Sequence, residues 1–112
     1  MSGRVGILGG TFDPPHVGHL VVAQDAIDAL ELDLLLVVPA ARPPHREAVL
    51  DAATRYDLAR QAFEGDPRIR VSDVELERSG PSWTVDTLEW ATRELRPDAL
   101  FLIVGADQLR AF

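Results

Sequence analysis

The sequence predicts an α/β protein in which a Rossmann-like parallel sheet is flanked by helices. Three observations lead to this prediction. Short apolar runs resemble strands buried on both faces, and the segments between them carry apolar residues at helical spacing. The two kinds of segment alternate as β-α-β-α-β-α-β along the 112 residues, which favours parallel strands with right-handed crossovers. Four predicted strands make only an incomplete doubly wound sheet.

The four predicted strands lie at residues 4–8, 34–38, 69–76 and 100–104. The first ends at a Gly-Gly step, the second is closed by Pro39, and the fourth is followed by Gly105. These three are continuous apolar runs, as expected for interior strands of a parallel sheet. The third alternates apolar with polar residues from Ile69 through Val74 and Leu76, so we expect it to be more exposed.

Three helices are predicted between the strands, and another begins at Asp107. Two prolines before His16 suit the start of the first helix. Asp51 can cap the second, which runs to about Glu64 and ends before Gly65. The residues expected to share the buried faces are Leu20, Ala23, Ile27 and Leu30, then Tyr56, Ala59 and Phe63, then Val85, Leu88, Thr92 and Leu95.

Composition excludes several classes of protein. Hydrophobic residues make up 46% and charged residues 26%, which is typical of a globular domain. A net charge of −7 disfavours nucleic acid or an anionic membrane as a partner, although a local cluster of donors can still bind phosphate. The absence of cysteine excludes disulfides and thiolate metal sites. Without a signal peptide or a long apolar span, we expect a cytoplasmic location. A homo-oligomer is compatible with the sequence.

The chain ends at Phe112 with a predicted helix under way and no glycine or proline to stop it. Together with the incomplete sheet, this predicts that residues 1–112 are one domain truncated at its C-terminus. A naturally short domain with a frayed end is the alternative.

The residues suited to chemistry follow the predicted strands. Ligands of open parallel sheets bind outside the carboxyl ends of the strands. The segments 9–19, 42–46, 82–87 and 105–107 all fall there, so we expect four loops to converge on one crevice.

The first of these loops favours phosphate. Gly9 and Gly10 leave room for a nucleotide to approach the backbone, and a helix N-terminus attracts phosphate. His16 and His19 are three residues apart, hence on one helical face, and both can donate hydrogen bonds to phosphate oxygens. Phosphoryl-type transfer depends on positioning and charge stabilisation, which two imidazoles can supply.

Other interpretations of these residues stay open. His16 and His19 have a metal-ligand spacing to which Asp13 and His45 could contribute, although the glycines and prolines fit phosphate better. The histidine pair could also be structural. Some of the remaining polar and aromatic candidates have structural alternatives: Trp83 in the core, Asp107 as a helix cap, and Arg42 and Arg46 as solvated charges.

Segment 9–19, GGTFDPPHVGH, resembles the HxGH signature loop of the α/β nucleotidyltransferase superfamily. Three further segments resemble bacterial nicotinate-nucleotide adenylyltransferases: 39–46 their PxxxPPHK segment, 82–88 their S-[YW]-T-x-D-T-L segment, and 102–107 their GAD strand end. The order and spacing of the four agree across essentially the whole chain. The sequence therefore resembles the N-terminal portion of that family.

The resemblance implies transfer of AMP from ATP to nicotinate mononucleotide, giving deamido-NAD and pyrophosphate, with Mg²⁺ accompanying ATP. It implies a catalytic function for His16 and His19, and no metal held by protein ligands alone. By the same resemblance, the ATP and phosphate contacts would be Gly9, Gly10, Thr11, Phe12, His16, His19, Gly105 and Asp107. The contacts to the mononucleotide would be His45, Arg46, Trp83 and Thr84.

Two departures from the family pattern qualify these expectations. Arg46 stands where the family usually has lysine, which keeps the charge but changes its geometry. The family also continues past Asp107 to an I-S-[ST]-[ST]-x-[IVL]-R segment that binds the ATP phosphates. Residues 1–112 lack it, so we do not expect this form to be active alone.

Two other functions remain as alternatives. A sister enzyme, such as a phosphopantetheine adenylyltransferase or a cytidylyltransferase, would share the first loop, but segment 82–87 argues against it. A non-catalytic nucleotide-binding module is the alternative from a different class.

Overall fold

The computed structural model describes residues 3–40, 50–76 and 84–103. The described strands are β1 (Arg4–Gly10), β2 (Leu34–Pro39), β3 (Ile69–Val71) and β4 (Ala99–Ile103). They form one parallel sheet in the order β3-β2-β1-β4. The predicted α/β architecture with parallel strands is therefore confirmed.

The described helices are α1 (Val17–Leu30), α2 (Ala52–Phe63) and α3 (Thr84–Leu95). Two separate apolar clusters show that the helices lie on both faces of the sheet. One cluster joins Leu8 and Leu35 to Ile27 of α1 and Phe63 of α2. The other is built from the alternate strand residues and from Ala91 of α3. Strands β1 and β2 bury both faces, which explains their continuous apolar sequences.

The predicted third strand is too long. Strand β3 ends at Val71, and the chain then turns: the Ser72 Oγ accepts the Val74 N–H at 3.2 Å, and the Leu76 N–H donates to the Asp73 carbonyl at 2.9 Å. Because these local bonds replace the strand ladder, Val74 packs against the cluster on the α3 side instead of extending the sheet.

The predicted buried face of α3 is also displaced. Val85 is 59% exposed and Thr92 is exposed, whereas Thr87 and Ala91 are almost completely buried. Helix α2 shows a similar difference, since Arg55 is buried beside Ala59 and Phe63. In both helices a polar residue lies on the buried side, where a side chain of that type is ordinarily not expected. The predicted face of α1, by contrast, is confirmed.

The order of the strands in the sheet determines where a ligand-binding crevice can lie. Reading outward from β1, the chain adds β2 and β3 on one side and β4 on the other. Such a reversal of direction opens a crevice at the carboxyl ends of the two strands that flank it, here β1 and β4. The loop between β1 and α1 therefore lies at the position where parallel α/β sheets bind ligands. None of the described helices is long and apolar enough to cross a membrane.

Candidate active site

The buried side chain of Phe12 holds the loop between β1 and α1 against the hydrophobic core. Phe12 is only 2% exposed and has a positive φ of 51°. Its ring meets the rings of Phe63 and His19 edge-on, with centroid distances of 6.1 and 4.8 Å. Since this side chain belongs to the core, any contact of Phe12 with a nucleotide would be made by its backbone.

His16 is the N-cap of α1 and not a member of the helix. Its Nδ1 accepts the N–H of Gly18 at 3.0 Å, while its own backbone N–H donates to Nδ1 of His19, also at 3.0 Å. The two histidines thus cap the helix reciprocally, as Ser and Glu do in an ordinary capping box. Their predicted proximity is confirmed, although it comes from the cap and not from a shared helical face.

The cap determines which imidazole nitrogens carry protons. A backbone N–H can only donate, so the Nδ1 atoms of His16 and His19 must both be unprotonated acceptors. In a neutral imidazole the proton then resides on Nε2. The two side chains therefore carry two Nε2–H donors at the start of α1, the end of the helix whose dipole favours negative charge.

The two rings are held together. They stack with centroids 3.9 Å apart and an interplanar angle of 27°. Partial burial of His19, reinforced by the neighbouring His16, lowers the pKa of the His19 imidazole below its usual value of 6.5. His19 thus favours the neutral form, and the neutral form is the one that can accept the N–H of His16.

Glycine suits two positions that flank this loop, Gly9 near the end of β1 and Gly18 at the start of α1, for different reasons. A Cβ on Gly18 would come within 2.8 Å of Cε1 of His16, so the glycine makes room for the capping imidazole. A Cβ on Gly9 would meet only the Val38 carbonyl oxygen, at 4.0 Å. No protein atom in the described part of the chain requires a glycine at position 9 for space, which agrees with its predicted closeness to a ligand.

The most prominent residue that sequence reasoning missed is Arg55. It is 1% exposed and binds three backbone carbonyls: Thr11 at 2.9 Å and Ala40 at 2.5 Å through Nη1, and Leu50 at 3.0 Å through Nε. Asp13, in the loop after β1, makes a further bond to the segment before α2, because its Oδ1 accepts the Leu50 N–H at 2.7 Å. The loops after β1 and β2 are thereby joined to the start of α2. Only the spacing of Arg55 from Ala59 and Phe63 could have indicated its burial.

Sequence reasoning also missed a pair of buried polar residues near the start of α3. The hydroxyl of Thr87 donates a hydrogen bond to Oε2 of Glu75, and both side chains are buried. The bond connects the turn after β3 to the first turn of α3. Residue 84, predicted to contact the mononucleotide, is the first residue of that helix.

The other predicted contacts lie outside the described residues. They are His45, Arg46, Trp83, Gly105 and Asp107. Their assignments remain predictions, as do those of the described residues of the first loop. Within residues 3–40, 50–76 and 84–103, no three His, Asp or Glu side chains are grouped so as to hold a metal ion.

Comparison with known protein families is consistent with this site, in which two imidazoles lie at the switch point of a parallel sheet. The family model described as cytidylyltransferase-like matches residues 7–112. The chain belongs to the cytidylyltransferase-like family.

Curated relatives narrow the comparison within that family. The chain is 51% identical over 107 residues to a probable nicotinate-nucleotide adenylyltransferase of Thermus thermophilus, covering 96% of this chain and 58% of the relative. It is 54% identical over 106 residues to a protein of the same name from Gemmatimonas aurantiaca, covering 93% of this chain and 50% of the relative. The chain thus spans about half the length of the curated relatives it matches.

Solved structures share the fold. The structure of a putative nicotinate-nucleotide adenylyltransferase from Vibrio parahaemolyticus matches with a TM-score of 0.79 at 24% identity, covering 97% of this chain and 61% of that one. The Plasmodium falciparum nicotinic acid mononucleotide adenylyltransferase complexed with NaAD also matches at 0.79, with 18% identity over 96% and 54% of the two chains. At these identities the likeness establishes the α/β nucleotidyltransferase fold alone.

Proposed function

We propose that this chain belongs to an enzyme that transfers AMP from ATP to nicotinate mononucleotide, yielding deamido-NAD and pyrophosphate. The observation that carries the proposal is the reciprocal cap of His16 and His19, which presents two Nε2–H donors at the switch point of the sheet. The names of the curated relatives support the choice of donor and acceptor. A cytoplasmic location is part of the proposal, since ATP is the donor.

The reaction is an in-line displacement at the α-phosphorus of ATP. An oxygen of the mononucleotide's 5′-phosphate forms the new P–O bond, the bond between the α-phosphorus and its bridging oxygen to the β-phosphorus breaks, and pyrophosphate leaves with that electron pair. Negative charge grows on the phosphate oxygens during this step. Catalysis of such transfers consists mainly of positioning and charge stabilisation.

The two imidazoles meet both requirements. Each Nδ1 is fixed by a backbone N–H, so each ring is oriented and its Nε2–H is aimed before the nucleotide arrives. Donors oriented in advance need no reorganisation in the transition state, which is why they are effective against developing charge. The N-terminus of α1 adds its positive dipole end behind them.

Mg²⁺ enters the proposal as a partner of ATP. The described residues form no three-ligand cage, and in this site both Nδ1 atoms and one oxygen of Asp13 are already occupied by backbone N–H groups. The metal would therefore arrive on the triphosphate, where it neutralises charge on the phosphate oxygens. No step is assigned to a protein-bound metal.

An acceptor panel tests the proposal. The complete protein is incubated with ATP, Mg²⁺ and one acceptor at a time, and the dinucleotide product and pyrophosphate are quantified. The acceptors are nicotinate mononucleotide, nicotinamide mononucleotide, phosphopantetheine and a polyol phosphate. We expect nicotinate mononucleotide to give the highest kcat/KM, with product and pyrophosphate in equal amounts.

The panel also separates the alternatives. Turnover on phosphopantetheine or the polyol phosphate, without turnover on nicotinate mononucleotide, would assign the protein to a sister enzyme. Calorimetric binding of ATP without turnover on any acceptor would identify a nucleotide-binding module. Either result would overturn the proposed function.

A further inference from the structure

The buried guanidinium of Arg55 binds the loop between β1 and α1 and is not among the residues assigned to the reaction. It contacts three chain segments: Thr11 in the loop after β1, Ala40 after β2, and Leu50 before α2. A buried charge is retained only where hydrogen bonds compensate for its lost hydration. A helix that needed only packing at this position would carry an apolar residue, as it does at Ala59 and Phe63.

The contact with Thr11 determines the direction of one peptide group. In a trans peptide the carbonyl and the following N–H point in opposite directions. Because the Thr11 carbonyl points inward to Nη1 of Arg55, the N–H of Phe12 points away from the guanidinium. The same bond holds the partially negative Thr11 carbonyl oxygen against the buried guanidinium.

The loop geometry continues from this peptide to the imidazoles. Phe12 follows directly, with its positive φ of 51° and its buried ring. That ring meets His19 edge-on at 4.8 Å, and His19 stacks on His16 at 3.9 Å. A continuous series of contacts therefore runs from the guanidinium, which touches no reacting atom, to both candidate catalytic side chains.

We propose that Arg55 is a positioning residue that orients the Thr11–Phe12 peptide, turning its N–H toward the phosphates and holding the His16–His19 pair in place. The phosphate part of this proposal rests on the proposed function, whereas the effect on the loop can be measured without any reaction. The second connection, from Asp13 to Leu50, holds the same loop against the same helix start.

The test uses the complete protein with Arg55→Lys and Arg55→Met. Lysine keeps the charge but not the planar fork, so it cannot reproduce the bonds to all three carbonyls. Arg60→Met is the matched control, because Arg60 lies in the same helix and is exposed. Nitrogen-15 NMR follows the histidine side chains and the Phe12 amide, and kcat and KM are measured well below each variant's thermal midpoint.

We expect Arg55→Lys to remain folded, to shift the His19 and Phe12 signals, and to lower kcat about tenfold or more with little change in KM for the mononucleotide. Arg60→Met should match the wild type. In the wild type, adding ATP should shift the Phe12 amide signal.

Unchanged His19 and Phe12 signals in Arg55→Lys, with wild-type kcat, would overturn the proposal. A Phe12 amide that ATP leaves unmoved would overturn it even if neither variant folds. If the wild-type protein lacks turnover but Arg55→Lys still shifts the His19 signals, the proposed function fails while the structural role of Arg55 stands.

Discussion

The imidazoles of His16 and His19 are joined through the backbone at the start of α1: the His16 N–H donates to Nδ1 of His19, and the Gly18 N–H donates to Nδ1 of His16. A helix cap and a pair of aimed donors are thus built from the same two side chains. Because each Nδ1 is an acceptor, the outward nitrogen of each ring is a donor. This dual use makes separable predictions for stability and for catalysis.

Removing the His16 side chain should impair both properties. His16→Ala loses the bond to Gly18, which should cost about 1 kcal/mol of unfolding free energy, typical of an N-cap. It also loses one oriented donor, so kcat should fall roughly 10²-fold. Denaturant unfolding and steady-state kinetics on the complete protein measure the two effects.

His16→Asn separates the effect on stability from the effect on kcat, because asparagine is a good N-cap but lacks the Nε2–H. We expect it to restore stability and to leave kcat low. Wild-type kcat in His16→Ala would remove the proposed catalytic function of this side chain.

The pH dependence of stability follows from His19. Its pKa in the folded protein is lowered, first by desolvation and then by His16. Between the folded pKa and 6.5 the unfolded chain binds more protons, so His19 contributes stability above pH 6.5 that is lost as the pH falls toward the folded value. Protonation also removes the acceptor for the His16 N–H. The titration of the His19 ring, followed by NMR, should have its midpoint below that of the urea-unfolded protein; equal midpoints would contradict this account.

Gly9 should be necessary for ligand binding but not for folding. Among the described residues, a Cβ there meets no atom closer than 4.0 Å, so Gly9→Ala should leave the thermal midpoint within a few degrees of wild type. If a nucleotide approaches the backbone at this point, the same methyl group should raise the Kd for ATP about tenfold, measured by calorimetry. Gly65→Ala is the control, since a Cβ on Gly65 has no atom of the described segments within 4 Å. Equal Kd values for the two variants would place the nucleotide elsewhere.

The buried Thr87–Glu75 bond should contribute to stability. Thr87→Val keeps the shape of the side chain but removes the hydroxyl that donates to Glu75, and should lower the unfolding free energy by about 1–3 kcal/mol. Thr92→Val is a matched control, because Thr92 lies in the same helix, is exposed, and donates only to the Leu88 carbonyl one turn before it. We expect that control to stay within about 0.5 kcal/mol of wild type. Equal effects in the two variants would show that the buried bond contributes nothing.

Sequence periodicity was sufficient to predict four strands and three helices in the described part of the chain, but not the end of β3 or the buried faces of α2 and α3. Strands such as Leu34–Pro39 are apolar throughout because both faces are covered, and this property is visible in a single sequence. The order β3-β2-β1-β4 is not visible in the same way, since it depends on which strands pair over long distances.

The polar residues beneath the site could not be predicted for a related reason. Arg55 is buried because three carbonyls from separate segments converge on it, and Glu75 because a hydroxyl on α3 meets it. Their charged side chains would ordinarily be assigned to the surface, whatever their spacing. The proximity of His16 and His19, by contrast, follows from a local cap within four residues, so sequence spacing was enough to predict it.

The central claim, adenylyl transfer to nicotinate mononucleotide, is tested most directly by following the phosphorus atoms of ATP. The complete protein is given nicotinate mononucleotide, Mg²⁺ and ATP labelled at either the α- or the γ-phosphate. The account predicts that the α-label appears in the dinucleotide and the γ-label in pyrophosphate. Transfer of the γ-label to the mononucleotide, or retention of both labels in unreacted ATP, would contradict it.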